Sequence, residues 1–177
     1  NQHSYRPRKS VWIALLGAAI VAFTAPTDAK IKRIVIDKTK SEPRAYEGRS
    51  FGNAGPYEKI QGKAYGELDP KDRRNAIIQD IGLAPRNSKG MVEYVVTFML
   101  IKPVDMAKSS GVMIYEVQNR GRKIDPGGSD QGHTFLMSGW QGEIPPAFGP
   151  DDTVAETLQV PTAKNLDGSP ITGPVLG

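Results

Sequence analysis

Almost nothing in this sequence reads as a helix, and that restricts its folds more than any single motif does. Neighbouring parallel strands need crossovers of a dozen or more residues, usually helical, yet only residues 133–137 hint at a helix here, and briefly. The apolar segments are instead short, rich in β-branched and aromatic residues, and punctuated by Gly, Pro, Asn and Asp. That is the pattern of strands and turns. The clearest is residues 91–101, nearly all apolar with Val95-Val96-Thr97-Phe98 at its centre and closed by Lys102-Pro103, which predicts a central strand. Residues 111–117 predict a second buried strand paired with the first, breaking into the polar loop Gln118-Asn119-Arg120-Gly121-Arg122-Lys123. Residues 31–37, 76–81 and 153–160 read as further short strands. Residues 57–68 alternate weakly around glycines, as an edge strand or hairpin would. Residues 41–56, 84–90 and 121–132 read as loops, and no internal repeat is visible.

A chain of 177 residues with 38% hydrophobic content is enough for one domain with a real core. Cysteine is absent, which excludes disulfides, thiolate metal sites and cysteine nucleophiles. The only histidines are His3 and His133, so no histidine cluster for a metal exists, and acidic calcium-loop spacing is missing too. No metal and no cofactor is expected. The formal charge of +4 includes Arg6, Arg8 and Lys9 near the amino terminus, and without them the charge is close to neutral. The remaining Lys and Arg are interspersed with Asp and Glu, which argues against nucleic acid as a partner.

Arg6-Pro7-Arg8-Lys9 precedes an apolar run over residues 11–23, and small residues follow at Thr24-Ala25 and Thr27-Asp28-Ala29. That layout is a signal peptide over residues 1–29, with residues 30–177 as the mature part. The apolar run is short for a bilayer span, which needs about 20 residues. Export to a periplasmic or extracellular location is expected, with membrane contact only through the leader.

Side chains that could carry chemistry are few. Ser129, Asp130 and His133 lie within five positions, but Ser129 follows no apolar strand and its glycine falls one position late for a nucleophile elbow, so the segment reads as a flexible loop. His133 is the sole imidazole of the mature part, with no nucleophile to serve. Trp140, between glycines in Ser138-Gly139-Trp140-Gln141-Gly142, reads either as the wall of a substrate pocket or as a core aromatic. Asp151-Asp152 follows Gly149-Pro150 in what reads as an exposed turn.

Six short motifs occur in a fixed order: Gly55-Pro56-Tyr57-Glu58-Lys59-Ile60, Ala84-Pro85-Arg86-Asn87, Val92-Glu93-Tyr94, Lys102-Pro103-Val104-Asp105, Tyr115-Glu116-Val117-Gln118-Asn119-Arg120-Gly121 and Ser138-Gly139-Trp140-Gln141-Gly142. Together they resemble a family of exported bacterial proteins named for an α/β-hydrolase domain, from about Ile34 to the end of the chain. The resemblance implies an α/β fold class, with this chain as the β-rich amino-terminal part of an α/β-hydrolase-like fold. It also implies that longer relatives hydrolyse small-molecule esters through a serine lying beyond the equivalent of Gly177, so this chain alone is expected to be inactive. In such hydrolases a loop after the third strand contributes a backbone N–H to the oxyanion hole, and Asn119, Arg120 and Gly121 would occupy that place. A plain polar turn with Gly121 in a left-handed conformation is the competing reading of the same residues. The chain departs from the family where Met137 adjoins Ser138 directly, since relatives usually carry a helix end and a further strand between those motifs. The alternative function is a small exported β-rich binding module without catalysis.

Overall fold

The computed structural model describes residues 30–143 and 155–173. The predicted leader and the Asp151-Asp152 pair lie outside the described residues. Within them the chain forms β1 (Lys30–Ile36), β2 (Ser50–Phe51), β3 (Gly55–Leu68), β4 (Val92–Pro103), β5 (Met113–Glu116), β6 (Thr134–Ser138) and β7 (Leu158–Gln159). All belong to one mixed sheet of order β1-β3-β4-β6-β5, with β2 on β3 and β7 on β4. Every pairing is antiparallel except that of β5 with β6.

This overturns the expected α/β-hydrolase-like fold class. An α/β fold lays helices over both faces of a mostly parallel sheet, whereas the described residues contain only 3₁₀ turns and a mostly antiparallel sheet. The one parallel pair is joined by an irregular crossover, residues 117–133, which is held to the sheet by side chains instead of by its own backbone ladder.

The sheet is organised by the long β3–β4 ladder, which runs from Tyr57↔Pro103 to Leu68↔Val92. Alternation along these strands sends odd-numbered side chains to one face. There Tyr57, Met99, Ile101 and Met137 form a buried cluster with Ala54, and Tyr46, Phe51 and Phe135 pack against it. Residues 41–54 cover this face. They are fastened by a bridge between Glu42 and Lys59 and by Ala45 N–H donating to the Tyr57 carbonyl at 2.8 Å. Tyr46, Phe51 and Tyr57 meet edge to face, with ring centroids 5.5 and 5.4 Å apart.

Among the described residues no segment covers the opposite face as residues 41–54 cover the first. Register places Ile60, Leu100, Leu136 and Tyr115 in one row across four strands, and Ile36, Gly62, Phe98 and Ser138 in the next. Apart from Gly62 none of these residues is fully buried, and Ile34 and Ile36 at the edge are 59% and 44% exposed.

Several local expectations change for identifiable reasons. Residues 57–68 form an internal strand, not an edge or hairpin. Their glycines make room for neighbours: a Cβ at Gly62 would collide with the Val35 carbonyl, and one at Gly66 with the Tyr94 ring. Residues 76–81 do not form a strand, because Asp72 caps a 3₁₀ turn over Arg73–Ile77 through the Arg74 N–H at 2.9 Å. Residues 133–137 contain no helix but most of β6, since five residues between β4 and β5 gain more from ladder bonds than from an isolated helical turn. Residues 111–117 give the outermost strand, paired with β6 and exposed along its length, not a buried partner of β4.

Candidate functional site

Because β5 and β6 are parallel, their carboxyl ends point the same way, and the loops that follow them meet. Gln118 and the turn Asn119–Gly121 leave β5, while Gly139 and Trp140 leave β6. The Trp140 indole N–H donates to the Gln118 carbonyl at 2.7 Å, so the two predicted elements, the Asn119-Arg120-Gly121 turn and Trp140, are brought together. Trp140 remains 46% exposed, which makes it a brace over the turn and not a core aromatic. The left-handed residue of the turn is Arg120, at φ 51, and not Gly121 as the competing plain-turn reading had it. Arg122 N–H closes the turn onto the Asn119 carbonyl at 3.2 Å, and the Arg120 guanidinium reaches only a loose pair with Glu143 at 3.8 Å.

Beneath this turn the protein is polar and closed. Gln118 is 1% exposed, and neither atom of its side-chain amide has a hydrogen-bond partner among the described residues. Lys123 pairs with the buried Glu156 at 3.0 Å and also donates to Gln61 Oε1 at 3.0 Å, tying the crossover to β3 and to the strand-like segment around Ala155. These groups can orient a loop. They hold no nucleophile with a base.

The hydroxyl and imidazole candidates lie apart. Ser138 shares a hydrogen bond with Tyr115 at 2.8 Å. His133, at the other end of β6, is about 17 Å of extended chain away, and its Nδ1 meets Ser110 Oγ at 2.8 Å. Ser129 Oγ accepts from Gln131 N–H, and the Ser129 carbonyl accepts from Tyr57 Oη. Ser129, Asp130 and His133 therefore lie in a loop that Tyr57 ties to the core through the Ser129 and His133 carbonyls, where the sequence reading was a flexible loop. Among the described residues no group of three His, Asp or Glu side chains is placed to hold a metal.

The same crossover is clamped by Asp125. Its carboxylate accepts from Tyr46 Oη at 2.5 Å and pairs with Lys59 at 2.8 Å, and Lys59 also pairs with Glu42 at 3.0 Å. Burial pushes the Asp125 carboxyl up, but hydrogen bonds from Lys59, Tyr46 and the Gly127 N–H outweigh it and hold the group below its ordinary value. Tyr46 is pushed far up by burial and by the carboxylate it faces, so it remains a donor. A carboxyl group depressed in the folded state stabilises it at pH values above the unfolded pKa and loses that contribution as pH falls through the folded value. The stability advantage of the native chain over Asp125→Asn should therefore be full near neutral pH and shrink as pH falls below about 4. Urea midpoints of both chains from neutral pH downward check it. An advantage that stays constant below about pH 4 would show that the carboxylate is not what holds the crossover.

A second feature was not foreseen from sequence. A cleft of about 710 Å³ opens beside the amino-terminal end of β4, walled by Leu68, Ile78, Ile81, Val92, Leu158 and Val160. Its walls come from the end of β3, the 3₁₀ segment around Ile81–Leu83, the start of β4, and the coil after β7. Asp80 and Glu93 line it, with Tyr94, whose hydroxyl is pushed up by burial. The only advance signal was the apolar content of residues 76–81, which sequence assigned to a strand.

Compared with known proteins, the chain matches no family model, no curated protein and no solved structure.

Proposed function

We propose that this chain is a β-rich binding module that takes an apolar small molecule in the cleft between β4 and the coil after β7, and that it performs no chemistry of its own. The cleft carries the reading. Its volume falls within the roughly 300–1,000 Å³ of small-molecule pockets, and apolar walls with a few polar groups at fixed places are what such pockets present. In contrast, Ser110, Ser129, Ser138 and His133 are each hydrogen-bonded within a loop or between neighbouring strands. Export of the module is supported by the basic, apolar and small-residue layout of residues 1–29.

The test is binding of decanol, a neutral apolar probe, to the full chain, followed by amide chemical shifts. Shifts confined to residues 78–81, 92–94 and 158–163 are expected. Ile78→Glu, at a position already 41% exposed, should leave the circular dichroism spectrum unchanged and weaken binding at least about 10-fold, since a charge in an apolar wall must be desolvated. Decanol binding that ignores Ile78→Glu, or no binding at all, would end the proposal.

A second reading keeps a link to ester hydrolysis. It rests on the Asn119–Gly121 turn, braced by Trp140 at the joint carboxyl end of β5 and β6, where sheets present loops to ligands. In this reading the turn supplies a backbone donor, and a serine from further polypeptide supplies the attack. A Gly-x-Ser-x-Gly segment in the reading frame past residue 177 is its expected sign, and a stop codon there would remove it.

A further inference from the structure

We infer that β5 is a docking edge for a second copy of this chain, which pairs antiparallel to it about a two-fold axis at Ile114 and continues the sheet across both copies. The contact is independent of the cleft.

The sheet ends in β1 on one side and β5 on the other, and the two ends are built differently. β1 carries Lys30, Lys32 and Arg33, and its ladder shifts register between Ile31 and Arg33. Charged side chains, lysine above all, and irregular register are what keep an edge strand from recruiting another. β5 has neither device. Its register with β6 runs unbroken from Met113↔Thr134 to Glu116↔Met137, and Glu116 is the only charge in residues 112–117. Val112, Met113, Ile114 and Tyr115 are consecutive apolar residues, and all are exposed. Single exposed apolar side chains are ordinary, but an unbroken run of them along a regular edge marks a contact surface.

The backbone shows which groups the edge offers. The Val112 carbonyl accepts from Thr134 N–H at 3.0 Å, so Val112 faces β6. Alternation along the strand turns Ile114 the same way and sends the N–H and C=O of Met113 and Tyr115 outward. Among the described residues β5 pairs with no strand but β6, and no loop backbone bonds to these outward groups.

A second copy laid antiparallel with Ile114 opposite Ile114 brings outward groups to outward groups. Met113 of each copy faces Tyr115 of the other and exchanges both ladder bonds with it. The thioether then lies beside the tyrosine ring, a favourable contact. The two Ile114 side chains meet as the closer, non-hydrogen-bonded pair, on the face that Phe135 shares with the core. Glu116 falls opposite Val112, so no charge meets its like. The edge is thus complementary to itself, as a two-fold contact requires. Pairing also leaves the two β1 strands as the outer edges, and those are the guarded ones, so assembly stops at two copies.

The experiment is sedimentation equilibrium on the full chain, with amide hydrogen exchange to locate the contact. The native chain should form a closed pair, and exchange at Met113 and Tyr115 should slow as concentration rises. Met113→Pro removes an outward N–H and spares the ladder to β6. It should weaken the pair at least about 10-fold and leave the circular dichroism spectrum unchanged. Ile114→Lys and Ile114→Glu each set like charges across the axis and should be single chains when alone. Mixed in equal amounts they should pair again, which a variant that had merely unfolded would not do. A native chain that stays single, or that assembles without limit, overturns the inference. So do pairs that persist in both Ile114 variants, a mixture of the two that stays single, or pairing that leaves exchange at Met113 and Tyr115 unchanged or that Met113→Pro does not weaken.

Discussion

Replacing Gly139 with alanine is expected to detach β7 and open the cleft. A Cβ at Gly139 would run into the backbone of Thr157, and a backbone wall cannot swing aside as a side chain can. That contact lies at the point where three segments are laced together. Gly139 N–H donates to the Thr97 carbonyl at 3.0 Å, Thr97 N–H donates to the Thr157 carbonyl at 3.0 Å, and Thr157 N–H donates to Thr97 Oγ1 at 2.8 Å. Thr97 is 1% exposed, so groups released here are not all recovered by water. Overpacking of this kind costs about 1–3 kcal/mol, sometimes more. Its functional effect should exceed its global effect, because Leu158 and Val160 follow Thr157 directly into the cleft wall. Decanol affinity should drop at least about 10-fold, while the urea midpoint falls by an amount consistent with that cost. Gly142→Ala is the control, since its added carbon would meet the Val160 side chain at 3.4 Å and the Leu158 carbonyl at 3.6 Å, both ordinary contact distances. Equal losses in the two variants would show that β7 does not depend on the Gly139 approach.

Tyr57→Ala is expected to be the most destabilising single change in the core. The ring has no exposed surface and joins the sheet to Phe51 and, through it, to Tyr46. Truncating a buried aromatic to alanine costs about 3–5 kcal/mol, a large part of the roughly 5–15 kcal/mol that a domain has in total. The hydroxyl is a separate contribution. It meets the carbonyls of Ser129 and His133 at 3.0 and 2.9 Å and so pins the crossover that delivers β6. Tyr57→Phe keeps the ring and removes only those bonds, at about 0.5–1.5 kcal/mol. Urea denaturation of the three chains should rank native, Phe and Ala in that order, with the larger step between Phe and Ala. A Phe variant as unstable as the Ala variant would mean that the crossover, not the aromatic cluster, holds this face together.

What could be seen in the sequence was whatever a local pattern encodes. β4 was legible because Val95-Val96-Thr97-Phe98 is both β-favouring and apolar on alternate faces. β1 was legible for the same reason, through Ile34 and Ile36. β3 was recognisable as a strand but misplaced in the sheet, because Gly62 and Gly66 look like interruptions until Val35 and Tyr94 are seen to occupy the space. β5 was recognisable but taken as buried, since an apolar run of four to seven residues carries no mark that distinguishes the middle of a sheet from its rim. The fold class went wrong at a higher level. Motif order suggested an α/β protein, while the absence of helices in the same residues already pointed to a sheet that loops must cover.

The site divides in the same way. Asn119-Arg120-Gly121 and Trp140 each stood out as polar or aromatic residues beside glycine, but their hydrogen bond joins positions 22 residues apart and depends on β5 and β6 being parallel. The cleft left one local trace, the apolar content of residues 76–81. Its walls come from separate stretches of chain that only the fold brings together.

The open sheet face also has a calorimetric consequence. Unfolding raises heat capacity because apolar surface passes into water, about 12–15 cal/mol/K per residue in ordinary domains. Here the row Ile60, Leu100, Leu136 and Tyr115 is already partly hydrated in the native state, as are Ile34 and Ile36. Less such surface is left to transfer on melting. The heat-capacity increment per ordered residue should therefore fall below the ordinary range, and the curve of stability against temperature should be correspondingly shallow.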